Sequence, residues 1–250
     1  MIEAVVLDFG HTIVDWALSE HALLATYEEV HGLLVEYASG ELPSAADLVE
    51  NVSRRLGKQI EASYLNQELE ELDILQLFQE SFTGIDLHLP SELVRSIAAM
   101  EHRALSAEVH LSPENADALR QLRADGLRLG LVSNITLLGE YVREDLHRLG
   151  LLDLFDAIIL SSEVGIRKPH PKIYTTVLDR LHASAERTVF VGDRLREDVG
   201  GPQQAGMRAV LTLEFRQEDV GPQTAQPDAT IQRLVDLPSV IRKMHAEEEA

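Results

Sequence analysis

Short apolar segments rich in valine, isoleucine and leucine recur along the chain, and outside one long segment they are separated by helical patterns. They predict strands over residues 3–8, 128–133, 156–161, 187–193 and 208–213. Continuous apolar runs of this length are typical of strands that are buried on both faces, and strands that alternate with helices form parallel sheets. The chain is therefore predicted to be an α/β protein with a Rossmann-like, doubly wound parallel sheet.

The exception is the segment between the first two predicted strands, which has helical patterns only. These patterns cover residues 23–37, 48–56, 64–82 and 91–104. Ser44 and Asp47 have the spacing of a capping box before the second of them. We therefore expect two domains: a core domain formed by residues 1–16 and 106–250, and an all-α cap domain, residues 17–105, inserted into it.

The composition excludes several classes of function. The chain has 22 Lys plus Arg residues against 42 Asp plus Glu, a net charge of −20, whereas proteins that bind nucleic acids need clustered basic residues. No apolar run reaches the roughly 18 to 20 residues that span a membrane, and no signal-peptide pattern is present. The absence of cysteine excludes disulfides and thiolate chemistry. We expect a cytoplasmic protein that binds neither nucleic acid nor membranes.

Polar side chains follow the predicted strands where these end. Asp8, Ser133 and Asp193 come at the ends of apolar runs, and Lys168 lies in the loop after the third strand. Because ligands of open parallel sheets bind beyond the carboxyl ends of the strands, these four side chains are expected to converge on one crevice. Residues 215–228, beyond the last predicted strand, are interpreted only as a polar loop.

These residue types fit a reaction at phosphorus. An aspartate can attack phosphorus and divide a difficult hydrolysis into two easier displacements, which predicts Asp8 as the nucleophile. Because two anions repel each other, a hard cation such as Mg²⁺, held by Asp8 and Asp193 with Asp198 nearby, is the expected cofactor. Lys168 would neutralise charge on the nucleophile and the transferred group, and Ser133 would donate a hydrogen bond to a phosphoryl oxygen.

Four segments match a known family in their order and spacing. They are VVLDFGHTIVD (5–15), LGLVSN (129–134), SSEVGIRKPHPKIY (161–174) and VFVGDRLREDVGGPQQAGM (189–207). In these segments the chain resembles the haloacid dehalogenase-like (HAD) hydrolase superfamily, in the subgroup whose helical cap is inserted after the first strand. The resemblance implies the roles just described for the strand-end residues and makes Asp193 and Asp198 the acidic metal motif. Thr12 and Asn134 are further expected contacts to the substrate.

One position departs from the family pattern. Phosphatases of this family carry a second aspartate two residues after the nucleophile, which protonates the leaving oxygen and then activates water. Here that residue is Gly10, and His11 follows it. Because the family uses only the backbone carbonyl of this position for the metal, Gly10 stays an expected metal ligand. The missing acid–base group is expected to lower the rate by about a hundred- to ten-thousandfold.

Three functions are compatible with this pattern. The first is a Mg²⁺-dependent phosphatase that acts on a small phosphorylated metabolite through an aspartyl-phosphate, with an activated leaving group, His11 or a cap residue in place of the missing acid. The second is a hydrolase of a carbon–halogen or carbon–phosphorus bond, either a 2-haloacid dehalogenase or a phosphonoacetaldehyde hydrolase with Lys58 as its imine-forming lysine. The third is a catalytically impaired binding or regulatory module.

We favour the phosphatase because the nucleophile, the hydroxyl, the lysine and the metal carboxylates are all retained. His11 lies so close to the nucleophile that it is also a candidate contact to the substrate. The cap is expected to close over the strand ends and to choose the substrate. The protein is expected to be a monomer or a homodimer, without nucleic acid or membrane as a partner.

Overall fold

The computed structural model describes residues 1–17, 19–37, 40–218, 221 and 224–248. Six parallel strands form one sheet in the order β3-β2-β1-β4-β5-β6. They are β1 (Ala4–Leu7), β2 (Arg128–Ser133), β3 (Ala157–Leu160), β4 (Thr188–Gly192), β5 (Arg208–Thr212) and β6 (Ala229–Ile231). The predicted α/β fold with a doubly wound parallel sheet is confirmed.

The sheet is covered on both faces, as its strand sequences predict. Val5 and Leu7 belong to one buried cluster, whereas Ala4 and Val6 belong to the cluster on the opposite face. Side chains alternate between the two faces of a strand, so a run of consecutive apolar residues supplies both clusters. This is why the strands of the core contain so few polar residues before their carboxyl ends.

The segment between β1 and β2 is helical. Its helices are α1 (Glu20–Val35), α2 (Ala45–Leu48), α3 (Arg54–Leu65), α4 (Ile74–Thr83) and α5 (Ser91–Ala107), and one π-helical turn (Val49–Ser53) joins α2 to α3. The capping box is present, since the Ser44 hydroxyl accepts a hydrogen bond from the Asp47 N–H and the Asp47 carboxylate accepts one from the Ser44 N–H. This helical unit has a hydrophobic cluster of its own, which includes Tyr27, Phe82 and Ile97.

The predicted helix over residues 64–82 is wrong, because α3 ends at Leu65 and α4 begins only at Ile74. Two features break it. The Asp73 carboxylate caps α4 by accepting hydrogen bonds from the N–H groups of residues 75 and 76, and Gln67 has a left-handed φ of 57°. The intervening backbone pairs with the core instead, since Glu70 forms an antiparallel bridge with Ile166.

The remaining helices pack on the sheet. They are α6 (Pro113–Ala124), α7 (Gly139–Arg148), α8 (Ser161–Val164), α9 (Pro171–Leu181), α10 (Gly201–Gln204) and α11 (Leu237–Glu248). The chain leaves and re-enters the core side by side, because Asp15 and His110 form an antiparallel bridge. That residues 17–105 act as a cap domain stays a prediction. Among the described residues, no helix has the length and apolar character needed to cross a membrane.

Candidate active site

Side chains from the carboxyl ends of β1, β2 and β4 line a common cavity of about 210 Å³. Asp8, Ser133, Lys168 and Asp193 all belong to this lining, and we call the cavity the catalytic pocket. Tyr64 of α3 lines it from the helical unit. The convergence expected from the strand ends therefore exists, and the helical unit contributes to the same space.

Three carboxylates form the floor of this pocket. Asp8, Asp193 and Asp198 each offer an oxygen within 4.8 Å of the others, and all three are buried. The ammonium group of Lys168 joins two of them, with Nζ 2.7 Å from Asp8 Oδ1 and 2.7 Å from Asp198 Oδ1. The site is thus a compact cluster of charges that is largely removed from water.

The electrostatics of the cluster favour an additional cation. Burial raises the pKa of Asp8, and the opposing charge of Lys168 does not cancel this effect. Burial and the charge of Asp198 likewise raise the pKa of Asp193, and burial raises the pKa of Asp198 to about 6 despite Lys168. The positive charge near the three carboxylates is therefore too small to offset the effect of burial on their pKa values. Hard divalent cations prefer carboxylate oxygens, so this donor set fits Mg²⁺.

A glycine allows the segment that carries Asp193 and Asp198 to fold tightly at the end of β4. A Cβ atom on Gly192 would lie only 2.3 Å from Asp198 Cγ, so no other residue fits at the end of β4 while Asp198 keeps its place. Asp198 is held there because its Oδ2 accepts a hydrogen bond from the Arg194 N–H at 3.0 Å. In the VGDRLRED segment, Asp198 therefore lies next to the strand end that carries Asp193.

Two predicted substrate contacts have other partners. The amide group of Asn134 accepts a hydrogen bond from the Lys168 N–H (2.7 Å) and donates one to the Lys168 carbonyl (3.0 Å), so it positions the lysine loop. Thr12 is fully buried, and its hydroxyl donates to Asp8 Oδ2 at 3.5 Å. Asn134 nevertheless lines the pocket, and the role of both residues as substrate contacts stays a prediction. Ser133 lines the pocket as expected.

The departure at position 10 has a structural counterpart in Trp16. A Cβ atom on Gly10 would lie 2.0 Å from Cη2 of the indole, so the ring occupies the space that an aspartate side chain would need. Gly10 itself lines the pocket. That the backbone carbonyl of Gly10 binds the metal stays a prediction.

His11 also lines the pocket and is fixed by two contacts. Its ring stacks on Trp16 with centroids 4.8 Å apart, and its Nδ1 lies 2.9 Å from Asp15 Oδ1. The residue has a left-handed φ of 56°, a conformation that non-glycine residues adopt at a cost and most often at functional sites. Asp15 binds one ring nitrogen and thereby selects Nε2 as the nitrogen that can exchange a proton.

Sequence reasoning missed three cationic or polar groups of the pocket. Arg216 lies 2.5 Å through Nε from Asp193 Oδ2, although residues 215–228 were expected to be only a polar loop. Arg194 and Tyr64 line the pocket as well. Arg216 lies four residues after the end of β5. Its position after a strand end was the one sequence signal that could have indicated a place in the pocket.

The lysine expected for imine chemistry lies outside the pocket. The Lys58 side chain is 71 % exposed, and its Nζ pairs with Glu50 at 3.1 Å on the surface of the helical unit. An imine-forming lysine must reach the reacting carbon. The prediction that Lys58 is the imine-forming lysine of a phosphonoacetaldehyde hydrolase is therefore wrong.

Comparison with known proteins agrees with this site. A family model described as haloacid dehalogenase-like hydrolase matches residues 2–206. The chain is 33 % identical over 155 residues to the glyceraldehyde 3-phosphate phosphatase of Methanopyrus kandleri, which is 61 % of this chain and 66 % of that protein. The chain spans from about half to about two thirds of the length of this relative and of two others with the same name, from Methanocaldococcus jannaschii and Methanothermobacter thermautotrophicus.

Two solved structures cover nearly the whole chain. The 2-haloacid dehalogenase from Pseudomonas syringae pv. Tomato DC3000 matches with a TM-score of 0.68 and 25 % identity, over 98 % of this chain and 100 % of that one. The HAD phosphatase from Thermococcus onnurineus matches with a TM-score of 0.60 and 26 % identity, over 96 % of this chain and 98 % of that one.

Proposed function

The chain belongs to the haloacid dehalogenase-like hydrolase family, and from this we propose that it is a Mg²⁺-dependent phosphatase of small phosphorylated metabolites. The observation that best supports this function is the grouping of Asp8, Asp193 and Asp198 around Lys168 in one pocket. The pocket volume of about 210 Å³ suits an ester of a few carbon atoms. The name of the Methanopyrus relative, a phosphatase of a three-carbon phosphate ester, supports the same substrate class.

The three carboxylates and the carbonyl of Gly10 would hold Mg²⁺. When bound, the ion offsets the repulsion between the aspartate anion and the phosphate and stabilises charge on the transferred group. Among the groups of the chain itself, the Lys168 ammonium does the same from the protein side, because it contacts Asp8 directly. The cytoplasmic location expected from the sequence stays a prediction.

The reaction has two displacements at phosphorus. In the first, an oxygen of Asp8 attacks the phosphorus atom and the bond to the leaving alcohol breaks, which gives an aspartyl-phosphate. In the second, water attacks the same phosphorus, the bond to Asp8 breaks, and inorganic phosphate leaves. Thr12 and Lys168 hold the Asp8 carboxylate throughout, since each contacts one of its oxygens.

The proton transfers require a group that Gly10 cannot supply, and we assign them to His11. The protonated ring gives its Nε2 proton to the leaving alcohol oxygen in the first displacement. The neutral ring then takes a proton from the attacking water in the second, which restores the starting state. Asp15 and Trp16 hold the ring for this purpose, because they contact its Nδ1 and its face.

The test of the nucleophile is phosphate release from small esters and p-nitrophenyl phosphate in the presence of Mg²⁺. Asp8→Asn is expected to abolish release because an amide cannot attack phosphorus. Asp153→Asn is the matched control, since Asp153 is exposed and does not line the pocket. Full metal-dependent activity in Asp8→Asn would show that another group is the nucleophile.

The test of the proton donor compares leaving groups. His11→Gln is expected to lower kcat/KM, which reports the first displacement, by about a hundred- to ten-thousandfold for an alkyl phosphate but far less for acetyl phosphate, because acetate leaves without a proton. His88→Gln is the control, as His88 is exposed. An equal loss on both substrates would assign His11 to binding or to structure.

A second candidate function is supported by the dehalogenase match. That fold neighbour carries a 2-haloacid dehalogenase name, and a halide leaving group needs no proton, which would suit Gly10. Halide release from 2-haloacids without metal is the discriminating assay. If neither phosphate nor halide is released, the binding-module alternative stands.

A further inference from the structure

Arg194 lies in the catalytic pocket with its guanidinium group unpaired. It follows Asp193 directly, and its backbone N–H is the group that holds Asp198. Within the part of the chain that the structure describes, its side chain makes no hydrogen bond or ion pair with the protein. Leaving a half-buried guanidinium without an anion is unfavourable, so the geometry calls for one from outside the chain.

The carboxylates near Arg194 do not meet this need, because each has another cation. Glu197 pairs with Arg196 (3.5 Å), Asp193 with Arg216 (2.5 Å), and Asp198 with Lys168 (2.7 Å). The Arg194 guanidinium is charged, as arginine is in proteins. The pocket therefore contains a charged guanidinium group whose N–H donors have no acceptor among the described residues, beside Asp8, Asp193 and Asp198.

The helical unit places the aromatic ring of Tyr64 next to Arg194. The ring centroid of Tyr64 lies 6.0 Å from Cζ of Arg194 and 4.3 Å from Cζ of Arg167. Arg167 is buried and paired with Glu71, so the tyrosine ring rests on a fixed cation. No hydrogen bond of the Tyr64 hydroxyl to another described residue accompanies these contacts, although the residue lines the pocket.

We propose that Arg194 and Tyr64 form a second anion site, so that the substrate carries a carboxylate or a second phosphate group besides the phosphoryl group that Asp8 attacks. This inference rests on the proposed phosphatase function and narrows its substrate class. The planar guanidinium fork matches the two oxygens of such a group. Because Arg194 and the carboxylate cluster line the same pocket, a short chain is expected to join the two anionic groups.

Three esters with the same two-carbon skeleton test the proposal. Phosphoglycolate carries a carboxylate, ethane-1,2-diol bisphosphate carries a second phosphate, and 2-hydroxyethyl phosphate carries neither. The measurement is kcat/KM with Mg²⁺, expressed as the ratio of each ester with a second anionic group to 2-hydroxyethyl phosphate. The wild type is expected to prefer one anionic ester by about thirtyfold or more, and the ester preferred tells carboxylate from phosphate.

Arg194→Gln is expected to bring this ratio close to one, and Arg194→Lys to keep part of it, because lysine retains the charge without the fork. Tyr64→Phe is expected to lower the ratio by a smaller factor, about threefold, through loss of one hydroxyl. Arg120→Gln is the control and is expected to keep the ratio, since Arg120 is exposed and does not line the pocket. Circular dichroism and thermal unfolding verify that each variant is folded.

Two results would overturn the proposal. One is a wild type that does not discriminate among the three esters. The other is an Arg194→Gln variant, or Arg194→Lys where the glutamine variant is unfolded, that lowers all three rates by the same factor, which would assign Arg194 to the shared phosphoryl group. If the wild type hydrolyses no ester at all, including p-nitrophenyl phosphate, then the phosphatase function itself fails and this inference falls with it.

Discussion

Glu101 in the helical unit and Asp193 in the core are both carboxylic acids in poorly hydrated surroundings, and burial raises the pKa of each. Their neighbours differ. Glu101 has a separate hydroxyl donor for each oxygen, Ser53 at 2.8 Å and Tyr27 at 2.8 Å. Asp193 instead lies against two further carboxylates, with cations between and beside them.

This difference distinguishes a structural acid from a functional one. A lone half-buried acid with neutral donors has a simple solution, which is to keep its proton. Crowded acids with embedded cations cannot all be neutral without breaking their ion pairs, so their charge is best balanced by a further cation. Burial alone therefore did not mark the active site; like charges held together around Lys168 did.

The largest expected effect comes from removing one member of the crowded set. Asp193→Asn should lower kcat/KM with Mg²⁺ by about a thousandfold, or ~4 kcal/mol, because the ion loses a ligand. It should also abolish stabilisation by Mg²⁺, which in the wild type reaches about 2.7 kcal/mol at a hundred times the Kd. Thermal unfolding with and without Mg²⁺ measures the second effect independently of activity.

Asp153→Asn is again the control for this experiment and should keep the full Mg²⁺ response. If Asp193→Asn kept it as well, the ion would bind elsewhere. The contrast between the crowded acids and the lone acid would then lose its functional meaning.

Another acid, Glu71, lies where the helical unit meets the core, and its replacement tests the contribution of its one cationic partner, Arg167. Its side chain and that of Arg167 are each 1 % exposed and form an ion pair at 2.5 Å. Ser161 and Thr136 of the core also donate hydrogen bonds to Glu71. Glu71→Gln leaves Arg167 buried without a counter-ion, which should cost about 3 kcal/mol of unfolding free energy.

Chemical denaturation measures this loss. Glu50→Gln removes the acid of an exposed ion pair with Arg54 and should leave the midpoint unchanged. An equally small effect of Glu71→Gln would mean that Arg167 finds another anion or water. The region where the helical unit meets the core would then be held together mainly by its backbone bridge and its apolar contacts.

The strand ends could be predicted because their geometry follows from periodicity. Asp8, Ser133 and Asp193 terminate apolar runs, and parallel strands bring such ends to one edge of the sheet. The absence of a side chain at position 10 was likewise visible in the sequence. The residue that fills this space could not be predicted. Trp16 reaches it because of the turn after β1, and no repeating pattern in the sequence indicates such a contact.

The rest depended on contacts between segments that are distant along the chain. Arg216 and Tyr64 enter the pocket from a loop and from the helical unit, and neither has a local signal for that destination. The three residues of β6 are too few to reveal a period. Residues 66–73 look helical by their apolar spacing, but pairing with residues 165–167 of the core overrides that preference.

The smallest expected effect belongs to the lone acid, and its sign depends on pH. The pKa of Glu101 is raised in the folded protein, so above the ordinary value of 4.5 the unfolded chain releases a proton that the folded chain keeps. The stability contributed by this group is therefore present below pH 4.5 and is lost as the pH rises towards the folded pKa. Glu101→Gln mimics the protonated acid and should remove this loss.

Between pH 5 and pH 8, the wild type should accordingly lose more unfolding free energy than Glu101→Gln, because the pKa of Glu101 is raised in the folded protein. Urea denaturation at the two pH values gives the difference. Glu28→Gln, an exposed change on α1, should follow the wild type. A Glu101→Gln variant that is clearly less stable at pH 8 would mean that Glu101 is ionised and needed as an anion. The helical unit would then hold a charged site of its own, and the contrast with the core would disappear.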